Sequence, residues 1–181
     1  MLTSIQEMQW VLRAQCNDRD ALEALLRSVQ PSLRRYLSGL AGATDADDLL
    51  QDVLVIVVRR LGTLDDPKLF RPWCFRIASR EAFRHIKKRR LWQGRHEDDA
   101  QLDDLPMPEA PISGDLLRQL LATVTISPAS RAVLILHFEE ELSLPEVAAI
   151  LDIPLGTAKS RLAYGLHSIR KHLKASGGSH G

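Results

Sequence analysis

Cysteine is scarce in this chain of 181 residues: Cys16 and Cys74 stand alone, outside any C-x-x-C pair. Neither a disulfide staple nor a thiolate zinc site is expected, and both thiols read as small buried apolar groups in a reducing compartment. Long apolar runs are missing too. No stretch approaches the roughly 20 residues that span a bilayer. The opening MLTSIQEMQW has neither the basic start nor the apolar body of a secretion signal. The expected setting is therefore the cytoplasm, with no membrane insertion. Catalytic signatures are equally thin. The six histidines form no H-E-x-x-H, no Gly-rich phosphate loop occurs, and no Ser, His and acid trio has local support. The chain is read as no enzyme, with no catalytic residue, metal ligand or cofactor. His96 with Glu97, Asp98 and Asp99 lies in an acidic run and reads as solvated charge.

Excess charge is also absent, since the formal net value is +1. That sum hides a sorted distribution, and the distribution decides what a surface attracts. Arg76, Arg80, Arg84, Lys87, Lys88, Arg89, Arg90 and Arg95 form a basic block opposed by Glu81 alone. Lys159, Arg161, Arg170, Lys171 and Lys174 form a second. Between them lie Glu97, Asp98, Asp99, Asp103, Asp104, Glu109 and Asp115, interleaved with Pro106, Pro108 and Pro111. This middle stretch lacks an apolar period and reads as a flexible acidic linker over residues 93–112. It separates an N-terminal domain, 1–92, from a C-terminal one, 113–175, with a disordered tail at 176–181.

No strand-like alternation is long enough to build a sheet, so the fold is expected to be all-α, as two small helical domains. Ser4 and Glu7 have capping-box spacing for a first helix ending near Asn17, and Asp18 can cap a second. Leu22, Leu25, Leu26, Val29, Leu33, Tyr36, Leu37 and Leu40 then keep steps of three and four, although Pro31 should kink or split that helix, and Gly39 and Gly42 end it. Thr44 is the expected cap of a third helix, which carries Asp45, Asp47 and Asp48 at its positive dipole end. Its buried side is Leu49, Leu50, Val53, Ile56, Val57 and Leu61, which leaves Asp48, Gln51, Asp52 and Val55 as an exposed strip. A fourth helix holds Phe70, Trp73, Cys74, Ile77 and Ala78 on one face and continues into the basic block.

In the C-terminal part a helix around residues 116–124 precedes Ser127 and Pro128, a cap and a first-turn proline. The run SLPEVAAILDIPLGTAKSRL, residues 143–162, reads as two short helices and a tight turn. Ser143 with Glu146 makes a capping box, Pro145 suits the first turn, and Asp152 with Pro154 breaks the helix. If Leu155, Ala158 and Leu162 face the core, Thr157, Ser160, Tyr164, His167 and Lys171 point away, flanked by Lys159 and Arg161. Long cations and hydroxyls on one helix face suit a DNA major groove. The same pattern fits a solvated helix in a bundle, so this pair alone does not decide.

The order of parts resembles one family, the extracytoplasmic-function group of RNA polymerase sigma factors within the sigma-70 family. The carriers are DADDLLQDVLVIVVRRL at 45–61, FRPWCFRIASREAFRHIKKRR at 70–90, and SPASRAVLILHFEEELSLPEVAAILDIPLGTAKSRL at 127–162. The resemblance implies an alternative sigma factor that directs promoter-specific transcription initiation. Domain 1–92 would be sigma domain 2, binding core polymerase and opening the −10 element. Domain 113–175 would be sigma domain 4, reading the −35 element by its helix-turn-helix.

Core-polymerase contact then maps onto Asp48, Gln51, Asp52 and Val55. Capture of an unstacked −10 base maps onto the loop residues Leu64, Asp65, Asp66, Lys68 and Phe70, and the separated strand onto Arg76, Arg80, Arg84, Lys87 and Lys88. The −35 set is Thr157, Lys159, Ser160, Arg161, Tyr164 and His167. Implied partners are core RNA polymerase, through its clamp and flap regions, promoter DNA and an anti-sigma protein. Trp73 is assigned to packing.

Three positions depart from the family pattern. Arg80 stands where Asn is frequent, Tyr164 where a basic residue is common, and Ala163 removes bulk beside it. The principal rival reading is a stand-alone helix-turn-helix regulator with an N-terminal helical sensing domain. A helical interaction protein without DNA would leave the outward set on the last helix unexplained.

Overall fold

The computed structural model describes residues 4–92 and 114–177. Among these every regular element is a helix or a 3-10 turn, without a strand. The N-terminal helices are α1 (Ser4–Gln15), α2 (Arg19–Ala41), α3 (Ala43–Arg60) and α4 (Phe70–Trp92), with single 3-10 turns at Leu61–Thr63 and Pro67–Leu69 between α3 and α4. The C-terminal helices are α5 (Gly114–Thr123), α6 (Pro128–Phe138), α7 (Leu144–Leu151) and α8 (Leu155–Gly177). The chain divides into two compact units, Met1–Lys88 and Arg89–Gly181. The acidic run with Arg95 and residues 96–99, and residues 178–181, lie outside the described residues. Helix α8 continues two residues into the stretch expected as tail.

In the first unit Asp18 caps α2. Its carboxylate accepts from the Ala21 N–H at 3.0 Å, and this bond, followed by the Arg13 guanidinium, holds the carboxyl below the usual carboxylate range. Ala21, Leu25, Val29, Leu33, Tyr36, Leu37 and Leu40 form the buried stripe, while Leu22 and Leu26 are half-buried. Pro31 neither splits α2 nor ends it. A proline has no N–H to donate, so the carbonyl of Arg27, four residues back, loses its helical partner while the helix continues. Arg71 at the start of α4 contacts both neighbouring helices: its Nη2 donates to the Ser28 carbonyl of α2 at 3.2 Å, and its Nε pairs with Glu7 of α1 at 2.8 Å. One guanidinium thereby ties three helices together.

Helix α2 also runs through Gly39 and stops only at Gly42, whose φ of 96° is a conformation that suits glycine. Thr44 is not the cap of α3. That helix starts at Ala43, so Thr44 lies within its first turn, and Gly42 occupies its N-cap without a side-chain bond. Where α2 meets α4, Tyr36 is fully buried and its ring stands edge-on to Phe75 at 5.4 Å. The Ser79 hydroxyl donates its one proton to the Phe75 carbonyl at 2.7 Å, so Tyr36 Oη must be the donor in its 2.7 Å bond to Ser79 Oγ. Burial pushes the Tyr36 phenol well above its ordinary pKa, which keeps it a neutral donor. Cys74, also buried, is likewise held as a thiol, whereas Cys16 is exposed at the end of α1, contrary to the expectation that both thiols lie inside. It lies just past the last residue of α1, in the turn that leads to α2.

The second unit is built around α6, whose Ala132, Val133, Leu134, Ile135 and Leu136 are all buried. Ser127 caps it and Pro128 opens it. After α6, Glu141 takes a left-handed φ of 56°, and His137 Nδ1 contacts the Leu142 carbonyl at 2.7 Å. A carbonyl only accepts, so the imidazole proton sits on Nδ1. The expected capping box of Ser143 and Glu146 is formed. Asp152 is left-handed at φ 58°, and the Ile153 N–H returns to the Ala148 carbonyl at 3.0 Å, which makes the tight turn. In α8 the buried stripe is Ala158, Leu162, Ala163, Leu166 and Ile169. Leu155 is not in it: at 39% exposure it occupies the first turn, ahead of the stretch that crosses α6.

That crossing is tight. A Cβ added at Gly165 would lie 2.7 Å from Leu134 Cδ1 and 3.1 Å from its Cγ, and Leu134 is fully buried. Gly165→Val should therefore cost about 1–3 kcal/mol through overpacking. The cost is to be read as a lowered denaturant midpoint of the helix-turn-helix unit. The capping box adds a pH signature. Hydrogen bonds from Ser143 hold the Glu146 carboxyl below its ordinary value of 4.5. Its contribution is present above pH 4.5 and is lost as pH falls through the lowered folded value. A Glu146→Gln variant should lack that acid-side loss, measured as thermal midpoint against pH.

Candidate nucleic-acid and protein interfaces

Helix α3 buries Leu49, Leu50, Val53 and Val57, with Ile56 only half-buried. With the core side settled, the 3.6-residue repeat puts Asp48, Gln51, Asp52 and Val55 together on the opposite side, and all four are exposed. Val58, 43% exposed, and Arg59 extend the strip by another turn. Their spacing from Asp48 follows the same period, so the extension was available in the sequence. The four acidic residues of the helix divide cleanly. Asp47 is engaged by Arg34 of α2 through a two-bond fork, 2.7 and 3.1 Å, which lowers its pKa. Asp45 meets His85 of α4 at 2.9 Å. Asp48 and Asp52 make no hydrogen bond or ion pair among the described residues. Two carboxylates thus pair with neighbouring helices, and two, with exposed valines beside them, face outward.

Between α3 and α4 the loop exposes Asp65, Asp66, Lys68 and Leu69. Asp66 accepts from the Lys68 N–H at 3.0 Å and caps the second 3-10 turn. Two residues expected at the base-capturing surface are inside: Leu64 is 7% exposed and Phe70 is fully buried. Their apolar side chains anchor the loop at either end, so neither offers a face to a base. Leu69, 52% exposed, is the apolar group that does face outward here.

Along α4, Cys74, Phe75, Ala78, Ala82 and Ile86 turn inward. Trp73, Arg76, Arg80, Arg84 and Lys87 then recur at steps of three and four on the other side. Trp73, expected on the packed face, instead lies on this outward row, half-buried with its ring 6.5 Å from that of Phe70. Arg84 pairs with Glu81, whose carboxylate is largely buried, while the Arg84 side chain remains 73% exposed. The one acid within the basic block is therefore paired by a member of the outer row itself, in which Arg76, Arg80 and Lys87 are the other cations. Lys88 is exposed one position round.

Helix α8 presents Lys159 and His167 as exposed and Thr157, Ser160, Arg161 and Tyr164 as half-buried. Ser160 Oγ donates to the Thr157 carbonyl at 3.1 Å, so toward an outside ligand it offers lone pairs. Lys171 continues the outward row. Ala163 belongs to the core at 4% exposure, so its small size serves packing against α6 and not the outward face. Among the described residues no group of His, Cys, Asp and Glu is arranged to hold a metal ion. No helix there is long and apolar enough to cross a membrane.

Comparison with known proteins agrees with this geometry. The family model described as Sigma-70 region 2 matches residues 25–91, and that described as Sigma-70, region 4 matches 124–171. The chain is 31% identical over 141 residues to the RNA polymerase sigma factor NccH of Alcaligenes xylosoxydans xylosoxydans, covering 74% of this chain and 75% of that one. It is 28% identical over 191 aligned positions to the RNA polymerase sigma-H factor of Pseudomonas aeruginosa, covering 96% and 97%. Among solved structures, CnrH in complex with the cytosolic domain of CnrY is similar in fold, with a TM-score of 0.67 and 22% identity over 94% of this chain and 98% of that one. The sigma factor RpoE of Bartonella quintana, in complex with the anti-sigma factor NepR, gives 0.64 and 22% over 84% and 96%.

Proposed function

The chain belongs to the sigma-70 family of RNA polymerase sigma factors, in its extracytoplasmic-function group, and from that premise we propose how its exposed faces divide the work of promoter-specific initiation. The N-terminal unit joins core polymerase through Asp48, Gln51, Asp52 and Val55, and opens the −10 element. The C-terminal unit reads the −35 element with α8. The observation that carries this division is the acidic and apolar strip on α3, set apart from the cationic row on α4. A strip of that character repels phosphate and suits a basic protein surface, whereas the cationic row suits a single strand.

For the −10 element the proposed contacts are Asp65, Asp66, Lys68, Arg76, Arg80, Arg84, Lys87 and Lys88, with Leu69 added. Leu64 and Phe70 are left out because both are buried. Arg80, in place of a frequent Asn, offers a guanidinium to phosphate. At the −35 element Thr157, Lys159, Ser160, Arg161, Tyr164 and His167 enter or flank the groove. The chain itself makes and breaks no bond; it positions DNA for the polymerase, in the cytoplasm where the polymerase works. An anti-sigma protein is its further partner, as NepR is for the Bartonella sigma factor.

Two experiments test the division, and both separate it from a stand-alone regulator. Asp48, Gln51 and Asp52 changed together to Ala should weaken binding to core polymerase in pull-down with little change in thermal unfolding, because the residues lie off the core stripe. Unchanged affinity would remove α3 from the interface. Run-off transcription over a randomised −35 library should show a changed preference for Tyr164→Arg. Lys159→Ala should lose about 1–3 kcal/mol of discrimination at one position if its amine meets a guanine edge. A uniform loss with a salt slope smaller by about one unit would assign Lys159 to phosphate. Tight, sequence-specific operator binding by the chain without polymerase would favour the regulator.

A further inference from the structure

Helix α1 lies upstream of the region 2 match, which begins at residue 25. Its side chains nevertheless hold the loop between α3 and α4 at both ends. Gln15, the last residue of α1, donates from Nε2 to the carbonyl of Leu61 at 3.0 Å and to that of Leu64 at 2.8 Å. A primary amide nitrogen carries two protons, so one side chain satisfies both carbonyls at once. The same Leu61 carbonyl also accepts from the Leu64 N–H at 3.1 Å, which closes the first 3-10 turn around the amide. Two helical turns earlier, about 12 Å along the axis, Glu7 pairs with Arg71 just past the far end of the loop. Leu64 and Phe70 are sunk into the core on either side, and the exposed residues between them are Asp65, Asp66, Lys68 and Leu69.

We propose that Gln15 is a positioning residue for −10 recognition: its double hydrogen bond sets where the loop presents its exposed side chains to the separated strand. The inference rests on the reading that this loop meets the −10 element. Discrimination among bases needs partner groups held within a fraction of an ångström, and a loop meets that demand only when its backbone is tied to a rigid element. Helix α1 is that element. A purely stabilising bond would act alike on every promoter, whereas a positioning bond acts on choice among −10 sequences.

The test uses holoenzyme assembled from core polymerase and the full chain, in run-off transcription over one library randomised at −10 and another randomised at −35. Gln15→Met keeps the approximate size of the side chain and removes both donors. Its −10 preference should flatten roughly fivefold to tenfold, the scale of one net hydrogen bond, with −35 preference and core affinity unchanged. Gln15→Lys, which restores N–H donors on a stem of similar reach, should recover much of the −10 preference. A Gln15→Met holoenzyme with wild-type −10 preference, a parallel loss at both elements, or a Gln15→Lys variant no better than Gln15→Met would each overturn the proposal. Asp65→Ala and Lys68→Ala identify which premise failed. If these loop variants also keep wild-type −10 preference, the loop is not the reader and the role of Gln15 falls with it; if they alter preference while Gln15→Met does not, only the positioning role is lost.

Discussion

Apart from α6, buried all round over residues 132–136, the helices α3, α4 and α8 each bury one side, and that constraint governs everything else on their surface. With about 3.6 residues per turn, burying one side of a helix decides the azimuth of every other side chain on it. In α3 the seating of Leu49, Leu50, Val53 and Val57 turns Asp48 and Asp52 out. In α4 Cys74, Ala78, Ala82 and Ile86 do the same for Arg76, Arg80, Arg84 and Lys87. In α8 the burial of Ala158, Leu162, Ala163 and Leu166, with Gly165 close against Leu134, turns Ser160 and Tyr164 away from the core stripe.

Charge is then partitioned between holding the fold and meeting a partner. Asp45 and Asp47 pair with His85 and Arg34, and Glu81 with Arg84, each linking groups that the helix rotation has already brought close. Exposed pairs of this kind contribute little to stability singly. Their consequence is electrostatic: they sort the surface into an acidic strip on α3 and a cationic row on α4, although the formal net charge is only +1. A sigma factor must bind a protein and a polyanion from one small domain, and two such fields on different helix faces keep the two tasks from competing.

Loops follow a different logic, because their backbones lack a helical ladder. The α3–α4 loop obtains its order from outside, from the Gln15 amide on two of its carbonyls and from Leu64 and Phe70 buried at its ends. Helix α2, by contrast, has its own ladder on both sides of Pro31 and continues through it without a break.

What the sequence determined by itself is what repeats locally. The helical stripes, the Asp18 and Ser127 caps, the Ser143 and Glu146 capping box, the turn at Asp152, and the outward sets on α3, α4 and α8 all follow from spacing within a few residues. The all-α class and the family follow from the order of those patterns. Tertiary structure alone decided the rest, since it depends on residues distant in the chain. Arg71 bridging to Glu7 and to the Ser28 carbonyl is one such case, and Gln15 reaching Leu61 and Leu64 across more than forty positions is another. The burial of Leu64, Phe70 and Ala163 and the exposure of Cys16 and Leu155 belong here as well. A residue's type and period say which way a regular helix turns it, but whether a loop or terminal side chain is covered depends on which other helix lies over it.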